Sequence, residues 1–255
     1  MGFFDFLKKA VPVGPKSYDR AALIAMLDEN AKTSAPLVLR GVEMKGIDLS
    51  GLDLSGADFS ECDLSGANFS GATLRSVQVR RANLQNASLR EADLTGSDWA
   101  QSNLRAADLT DANLTGTNLF ACKLEGAKWQ GVTFENTVLS GALLPGTNFE
   151  GVTFAGRLDG VDMKMEGGIL RHAILDNAIL TGAVLNDADL SGASMRGAQA
   201  ACAMRNATVR NVDFTNASLR YGDAAGADLT GSIFDGADVE GLNVEGATLP
   251  DDFPA

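Results

Sequence analysis

Residues 82–116 read ANLQN ASLRE ADLTG SDWAQ SNLRA ADLTD ANLTG, and one rule describes all seven groups. A large apolar residue stands at every fifth position, a small one two places before it, and Asp, Asn or Ser between them. The rule extends outward in both directions. From Leu39 to Phe154 each of the 24 fifth positions is Leu, Met, Phe, Val or Trp, and Ala57, Cys62, Ala67 and Ala72 hold the small position. A period of five fits neither the 3.6 of a helix nor the 2.0 of a flat strand. It predicts a backbone that turns a corner at every pentad, with the small and large residues facing in. Glycines just after the outward residues, such as Gly51, Gly56, Gly66 and Gly71, suit tight turns. Coils of this kind stack at strand spacing, about 4.8 Å, and build a solenoid.

The register has two faults. It falters through 155–164, resumes one residue late at Met165 and runs on to Ala200; it slips back over 200–204 and then runs from Met204 to Leu249. The pentads number 24, 8 and 10, 42 in all. A bulge or a short loop on one face accounts for each fault. Three segments follow: an amino-terminal segment over 1–38, the repeat over 39–249 and a tail over 250–255. In the first, Ser17 or Asp19 is positioned to cap a helix running to about Asn30, with Ala22, Leu23, Met26 and Leu27 on one face. The opening pentads carry larger inward residues (Leu37, Val42, Ile47, Leu52), so the helix is expected to cover the first coil, as solenoid ends require. Pro250, Asp251, Asp252 and Pro254 are the residues that blunt a strand edge.

The consensus A-(D/N)-L-x-x, as in Ala92-Asp93-Leu94-Thr95-Gly96, resembles that of the pentapeptide-repeat family over roughly 39–249. The resemblance implies an all-β fold, a right-handed quadrilateral β-helix with four pentads per coil, to which the short amino-terminal helical cap is added. It implies a fold and not an activity. Some members of the family resemble B-form DNA in size and charge and bind DNA gyrase, a type II topoisomerase, protecting it from quinolones.

Composition narrows the function classes. The 255 residues hold 33 acids against 21 bases, a net charge of −12, which disfavours direct binding of nucleic acid. One histidine leaves little for general-base chemistry or His-based metal sites. Cys62, Cys122 and Cys202 all take the small inward position, and Cys62 and Cys122 lie three coils apart, about 14 Å, too far for a disulfide. They read as small core residues, and His172 as a solvated surface side chain. Carboxylate pairs such as Asp48 and Asp53 arise from the repeat itself. No phosphate loop or calcium loop is present. The expectation is therefore a protein that is not an enzyme, with no cofactor and no metal. MGFFDFLKKA lacks the order of a signal peptide, and no apolar run approaches the ~20 residues of a membrane span. A cytoplasmic location is expected.

Three surface features point to a protein partner. Residues 41–74 hold six acids and one base, 75–105 hold five arginines including Arg75, Arg80 and Arg81, and 221–255 hold eight acids, Asp228 and Asp238 among them, with no base. Such segregation is either a solubilising surface or an electrostatic footprint for a partner. Ile169, Ile174, Ile179 and Val184 occupy the normally polar outward position, one on each side of a single coil, and Val138 and Leu143 do so earlier. That belt suits a partner or a homodimer, or cover by a loop at the fault. Phe3, Phe4, Phe6 and Leu7 with Lys8 and Lys9 form a short amphipathic element. The expected function is an interaction rod presenting a patterned acidic surface. The alternative is a DNA mimic that binds gyrase. Against that alternative, no two successive coils place Asp in one column, as Asp58, Gln78, Asp98 and Asn118 illustrate.

Overall fold

The computed structural model describes residues 18–33 and 35–254. Phe3–Lys9 and Ser17 lie outside them. From Val38 onward the chain climbs as a stack of coils: Val38 bridges Asp58, Glu43 bridges Asp63, Asp48 bridges Asn68 and Asp53 bridges Thr73, all in parallel and all four pentads apart. One bridge per pentad and four pentads per turn give each coil four sides. Leu49, Leu54, Phe59 and Leu64 fill the interior at 1% exposure or less, and most of their successors are buried likewise, with the small residues between them. Full burial of each such side chain contributes about 1.5–3 kcal/mol. Among the described residues two short strands emerge, β1 (Phe134–Glu135) and β2 (Phe154–Ala155), paired in parallel.

Each corner falls two residues after the inward apolar residue, and the backbone there is left-handed. From Asn136 (φ 51°) to Gly126 (φ 73°), corners occupied by Gly and by other residues share this geometry. Glycine adopts it without the Cβ clash, hence its frequency at that position. Where Ser, Thr or Cys takes the small inward position, its side chain can donate to the carbonyl of an apolar residue in the preceding coil: Thr117 to Leu94 at 2.9 Å, Thr137 to Leu114 at 3.0 Å, Cys122 to Trp99 at 3.0 Å. Cys62, Cys122 and Cys202 are buried and free, and burial pushes their thiols up to about 11, 12 and 12.

The faults are one extra residue and one missing residue. From Val138–Asp159 to Thr153–Ile174 the bridged partners stand one position further apart than four pentads. The regular spacing returns at Asp159–Ile179 and then shortens by one position from Val184–Ala203 to Gln199–Ser218. The ladder has resumed by Asp159, earlier than the expected Met165. Gly160 occupies the large position, and a Cβ there would fall 3.0 Å from the Leu180 side chain, so the pentad is present but its apolar residue is not. The missing residue is absorbed where the Cys202 amide donates directly to the Ala200 carbonyl at 2.7 Å.

Helix α1 (Arg20–Thr33) precedes the stack. Asp19 caps it, its Oδ1 accepting from the Ala22 amide at 2.8 Å. Leu23 is fully buried, and Met26 and Leu27 pack beside it against the core formed by Leu37, Ile47 and their neighbours. Ala22, expected on that face, is exposed, because it lies about 100° around the helix from Leu23. The helix also runs past Asn30, to Thr33. Arg20 performs a separate task. Its guanidinium donates to the carbonyls of Asp48 (3.0 Å) and Ser50 (2.8 Å), the same groups that in the next coil, at Asn68 and Ser70, are taken by the amides of Leu49 and Gly51. It takes the place of the amides that a preceding coil would supply. At the other end Phe253 stacks edge-on against Phe234, with centroids 5.0 Å apart, while Leu249 is 38% exposed.

Arg20→Ala is expected to cost about 1 kcal/mol and to speed amide exchange in the first coil, at Leu49 and Gly51. Unchanged exchange there would show that the helix end plays no part in closing the stack.

Candidate protein-interaction surface

An outward aspartate can do two jobs. Its first side-chain oxygen accepts from the amide two residues on, closing the corner: Asp53 from Ser55 (3.0 Å), Asp93 from Thr95 (3.1 Å), Asp228 from Thr230 (3.1 Å). Asparagine serves equally, as at Asn113, which takes the Thr115 amide at 3.0 Å. The second carboxylate oxygen faces the preceding coil and receives a base from it. Arg75 Nε reaches Asp93 at 2.6 Å, Arg80 Nε reaches Asp98 at 2.6 Å, Arg210 reaches Asp228 at 2.5 Å and Arg220 reaches Asp238 at 3.0 Å. Arg81 instead pairs with Glu61 at 3.1 Å. Asparagines stacked on aspartates complete the columns, Asn68 donating to Asp48 and Asn118 to Asp98, each at 3.1 Å. Glu43 and Asp63 do stack, and Lys45 lies 3.2 Å from Asp63.

These bonds explain the acidity of the carboxyls. At Asp108 burial raises the pKa, but the Thr110 hydroxyl and amide and the Lys128 ammonium outweigh it and hold the group at about 2. Asp93 is pushed up by burial and brought below the usual carboxylate range by Thr95 and Arg75. Asp228 is held down by the Thr230 hydroxyl and then by Arg210. The acidic 221–255 segment has no base of its own, yet Asp223, Asp228 and Asp238 all reach back to Arg205, Arg210 and Arg220.

Of the residues singled out from sequence, Arg80, Ile179 and Asp238 share one side of the rod. The bridges Asp98–Asn118–Val138–Asp159–Ile179–Gln199 define that side. Beside this column the amides of Gln101, Ala121, Gly141, Asp162 and Gly182 bond in turn to the carbonyls of Phe120, Ser140, Val161, Thr181 and Ala201, which puts those residues in a second column. Phe120 is 44% exposed, and Val138, Val161 and Ile179 are half-buried along the same two columns. The result is a strip over about five coil steps, roughly 24 Å, in which these four side chains alternate with Asn118, Ser140, Asp159 and Thr181. It is bounded by the ion pairs Arg80–Asp98 at one end and Arg220–Asp238 at the other. Phe120 and Val161 were not singled out from sequence. Their signal is visible only when successive coils are aligned in columns. The remaining candidates are scattered. Ile169 and Asp228 lie on a second side, Arg75 and Ile174 on a third, and Val184 on the fourth. Ile169 stands between Asn148 and Asp189, and Ile174 between Thr153 and Ser194.

His172 is at a corner, φ 55°, with its ring across Gly192, where a Cβ would fall 2.6 Å from Nδ1. Among the described residues no group of three or more His, Cys, Asp or Glu side chains is placed to hold a metal ion, and no helix is long and apolar enough to cross a membrane.

The chain matches the family described as pentapeptide repeats, in eight copies, over residues 43–81, 82–119, 117–156, 166–198, 201–236 and 213–249. No curated protein matches it. Among solved structures it is similar to HetL, a pentapeptide repeat protein involved in heterocyst differentiation regulation from the cyanobacterium Nostoc sp. strain PCC 7120 (24% identity, 88% of this chain, 96% of that one, TM-score 0.38). It is similar to a pentapeptide repeat protein from the Arabidopsis thaliana thylakoid lumen (39% identity, 38% of this chain, 67% of that one, TM-score 0.37). It is also similar to QnrB1, a plasmid-mediated fluoroquinolone resistance protein (20% identity, 86% of this chain, 93% of that one, TM-score 0.30).

Because carboxyls such as Asp93, Asp108 and Asp228 are more acidic folded than unfolded, their contribution is present above the unfolded value near 3.9 and is lost as pH falls through the lower folded values. Denaturant midpoints are expected to hold steady from neutral pH to about 5 and to drop between about 4 and 2. A midpoint unchanged at pH 2 would remove the carboxylate clips from the account.

Proposed function

We propose, from the premise that this chain belongs to the pentapeptide-repeat family, that it is a non-enzymatic interaction rod whose partner docks on the apolar strip around Phe120. The observation that carries this reading is the contrast between that strip and the rest of the surface. Elsewhere the outward residues are mostly polar and bound into turns and cross-coil pairs. Along 98–201 on this one side they include Phe120, Val138, Val161 and Ile179, and no Lys or Arg stands in either column between Arg80 and Arg220. Exposed apolar side chains grouped on one side mark protein contact, and Asp159, which accepts from Ser140, is the one charge among them. Arg80, Arg220 and Asp238 at its ends supply a polar rim and fix register. Cytoplasmic residence, expected from sequence, is part of the same reading.

Binding to gyrase as a DNA mimic is the second reading, and the resemblance stated above is its support. A phosphate mimic works through continuous rows of unpaired negative charge. Here Asp58, Gln78, Asp98 and Asn118 alternate along a column, and Asp93, Asp98 and Asp228 are paired with arginine. These features favour docking on the strip.

Replacing Phe120 with a photo-crosslinking amino acid is expected to trap one discrete partner in cells, and Val138→Asp in the same chain is expected to abolish the adduct. In parallel, purified protein is expected to leave gyrase supercoiling unchanged, with or without a fluoroquinolone. Inhibition or drug protection at micromolar protein, together with no adduct at position 120, would replace the strip reading with the gyrase one.

A further inference from the structure

Among the described residues the stack opens just below the first fault. On the side defined by Asp48, Asn68, Ser88, Asp108 and Lys128, the next residue is Asn148, and Lys128 and Asn148 do not bridge, although Asn148 bridges Ile169 above it. One coil below, Leu109 and Asp111 bond to the carbonyls of Lys128 (3.0 Å) and Gln130 (2.8 Å). Among the described residues, the equivalent bonds from Trp129 and Gly131 to Asn148 and Glu150, and from Asn148 to Ala127, are not made. Two adjoining clefts occupy the gap, of ≈ 570 Å³ and ≈ 450 Å³, sharing Gly131, Glu150 and Val152. Trp129 lines the larger one; it is 4% exposed, and its Nε1 is buried with no hydrogen-bond partner.

Side-chain volume accounts for the opening. Trp129, Phe134, Phe149 and Phe154 fill large positions of two adjacent coils, with ring centroids 4.8 to 5.7 Å apart. Val132 and Val152 stand where other pentads carry Ala, and both are half-buried instead of buried. Overfilling of a closed coil is relieved by parting its wall.

We propose that this seam takes up an extended peptide segment of a partner protein, which pairs its backbone with both lips. One lip presents the amides of Trp129 and Gly131 and the carbonyl of Ala127; the other presents the carbonyls of Asn148 and Glu150 and the amide of Asn148. Two strand edges left unpaired opposite each other are a template for a strand, by the same hydrogen bonding that adds a strand to a sheet edge. The charges at the rim are already matched. Lys128 lies 3.2 Å from Asp108 and Glu150 lies 3.1 Å from Arg171, so the segment it fits is uncharged, rich in β-branched residues and free of proline. The proposal deepens the interaction reading but uses a different surface from the Phe120 strip, so each can fail alone.

The test is amide exchange at Trp129, Gly131 and Asn148 in the full chain, with the capped peptide acetyl-Thr-Val-Thr-Val-Thr-amide as probe. Without peptide these amides are expected to exchange freely. Peptide up to about 1 mM is expected to slow them about tenfold and saturably, and the same peptide with its central Thr replaced by Pro is expected to have no effect. The double variant V132A/V152A is expected to close the ladder, protecting the amides without peptide and removing the response. Protection in the unaltered protein without peptide, or no slowing by the Val-Thr peptide, overturns the proposal. Equal slowing by the proline peptide overturns backbone pairing whatever the double variant does.

Discussion

Everything in this molecule follows from the parallel bonding of each coil to the one four pentads further on. Once Leu49 donates to Asn68 at 2.7 Å and Asn68 donates to Ile47 at 2.9 Å, the next pentads have one available register. A coil can close in four pentads only if the chain turns a corner in each, and left-handed corner residues such as Glu61, Ala106 and Gly116 make that turn. The inside then accepts one large and one small side chain per side, and the outside carries a column of residues at strand spacing. In that column the chemistry is constrained. A like charge about 5 Å above and below every carboxylate is costly, and alternation with Asn, Thr or Gln relieves it.

The acidity of the chain therefore means less for recognition than its net charge suggests. The aspartates close corners with one oxygen and hold the preceding coil with the other. Single exposed ion pairs contribute only about 0.2–1 kcal/mol, but here the pair is added to a turn bond that the same side chain makes. Some of the surface is not needed by the repeat. That is the strip where Phe120, Val138 and Ile179 replace polar residues, and the seam where Trp129 and Asn148 fail to join.

Much of this was legible in the sequence, because a repeat reports its own geometry. The columns Asp48–Asn68–Ser88–Asp108 and Asp58–Gln78–Asp98–Asn118 follow from a period of five and four sides, and the structure has them as bridges. The regularity also hid things. Gly160 broke the apolar count and made the first fault look longer than the one extra residue it is. Sequence alone puts Ala22 on the inner face of α1 with Leu23, Met26 and Leu27, while the packing of the last three settles the roll of the helix. The pairing of Arg75 with Asp93 in the next coil is a sequence rule in plain view, but it has meaning only after the coil length is fixed. The strip is not visible within any one pentad, because Phe120 precedes a corner while Val138 is an outward residue, and only stacking brings them together. The seam needs summed side-chain volumes across two coils, which no single pentad reveals.

The clip at the outward position is the claim on which the reading of the surface rests, and amide exchange at Thr95 tests it most directly. Thr95 donates to Asp93 Oδ1 at 3.1 Å, and Arg75 holds the other oxygen at 2.6 Å. Asp93→Asn keeps the turn acceptor and removes only the charge, so exchange at Thr95 is predicted to stay within about twofold of the unaltered protein. Asp93→Ala removes the acceptor, and exchange is predicted to quicken about fivefold or more. Equal effects of the two substitutions would contradict the account, because the carboxylate would then matter for its charge and the acidic surface would again be available to a partner.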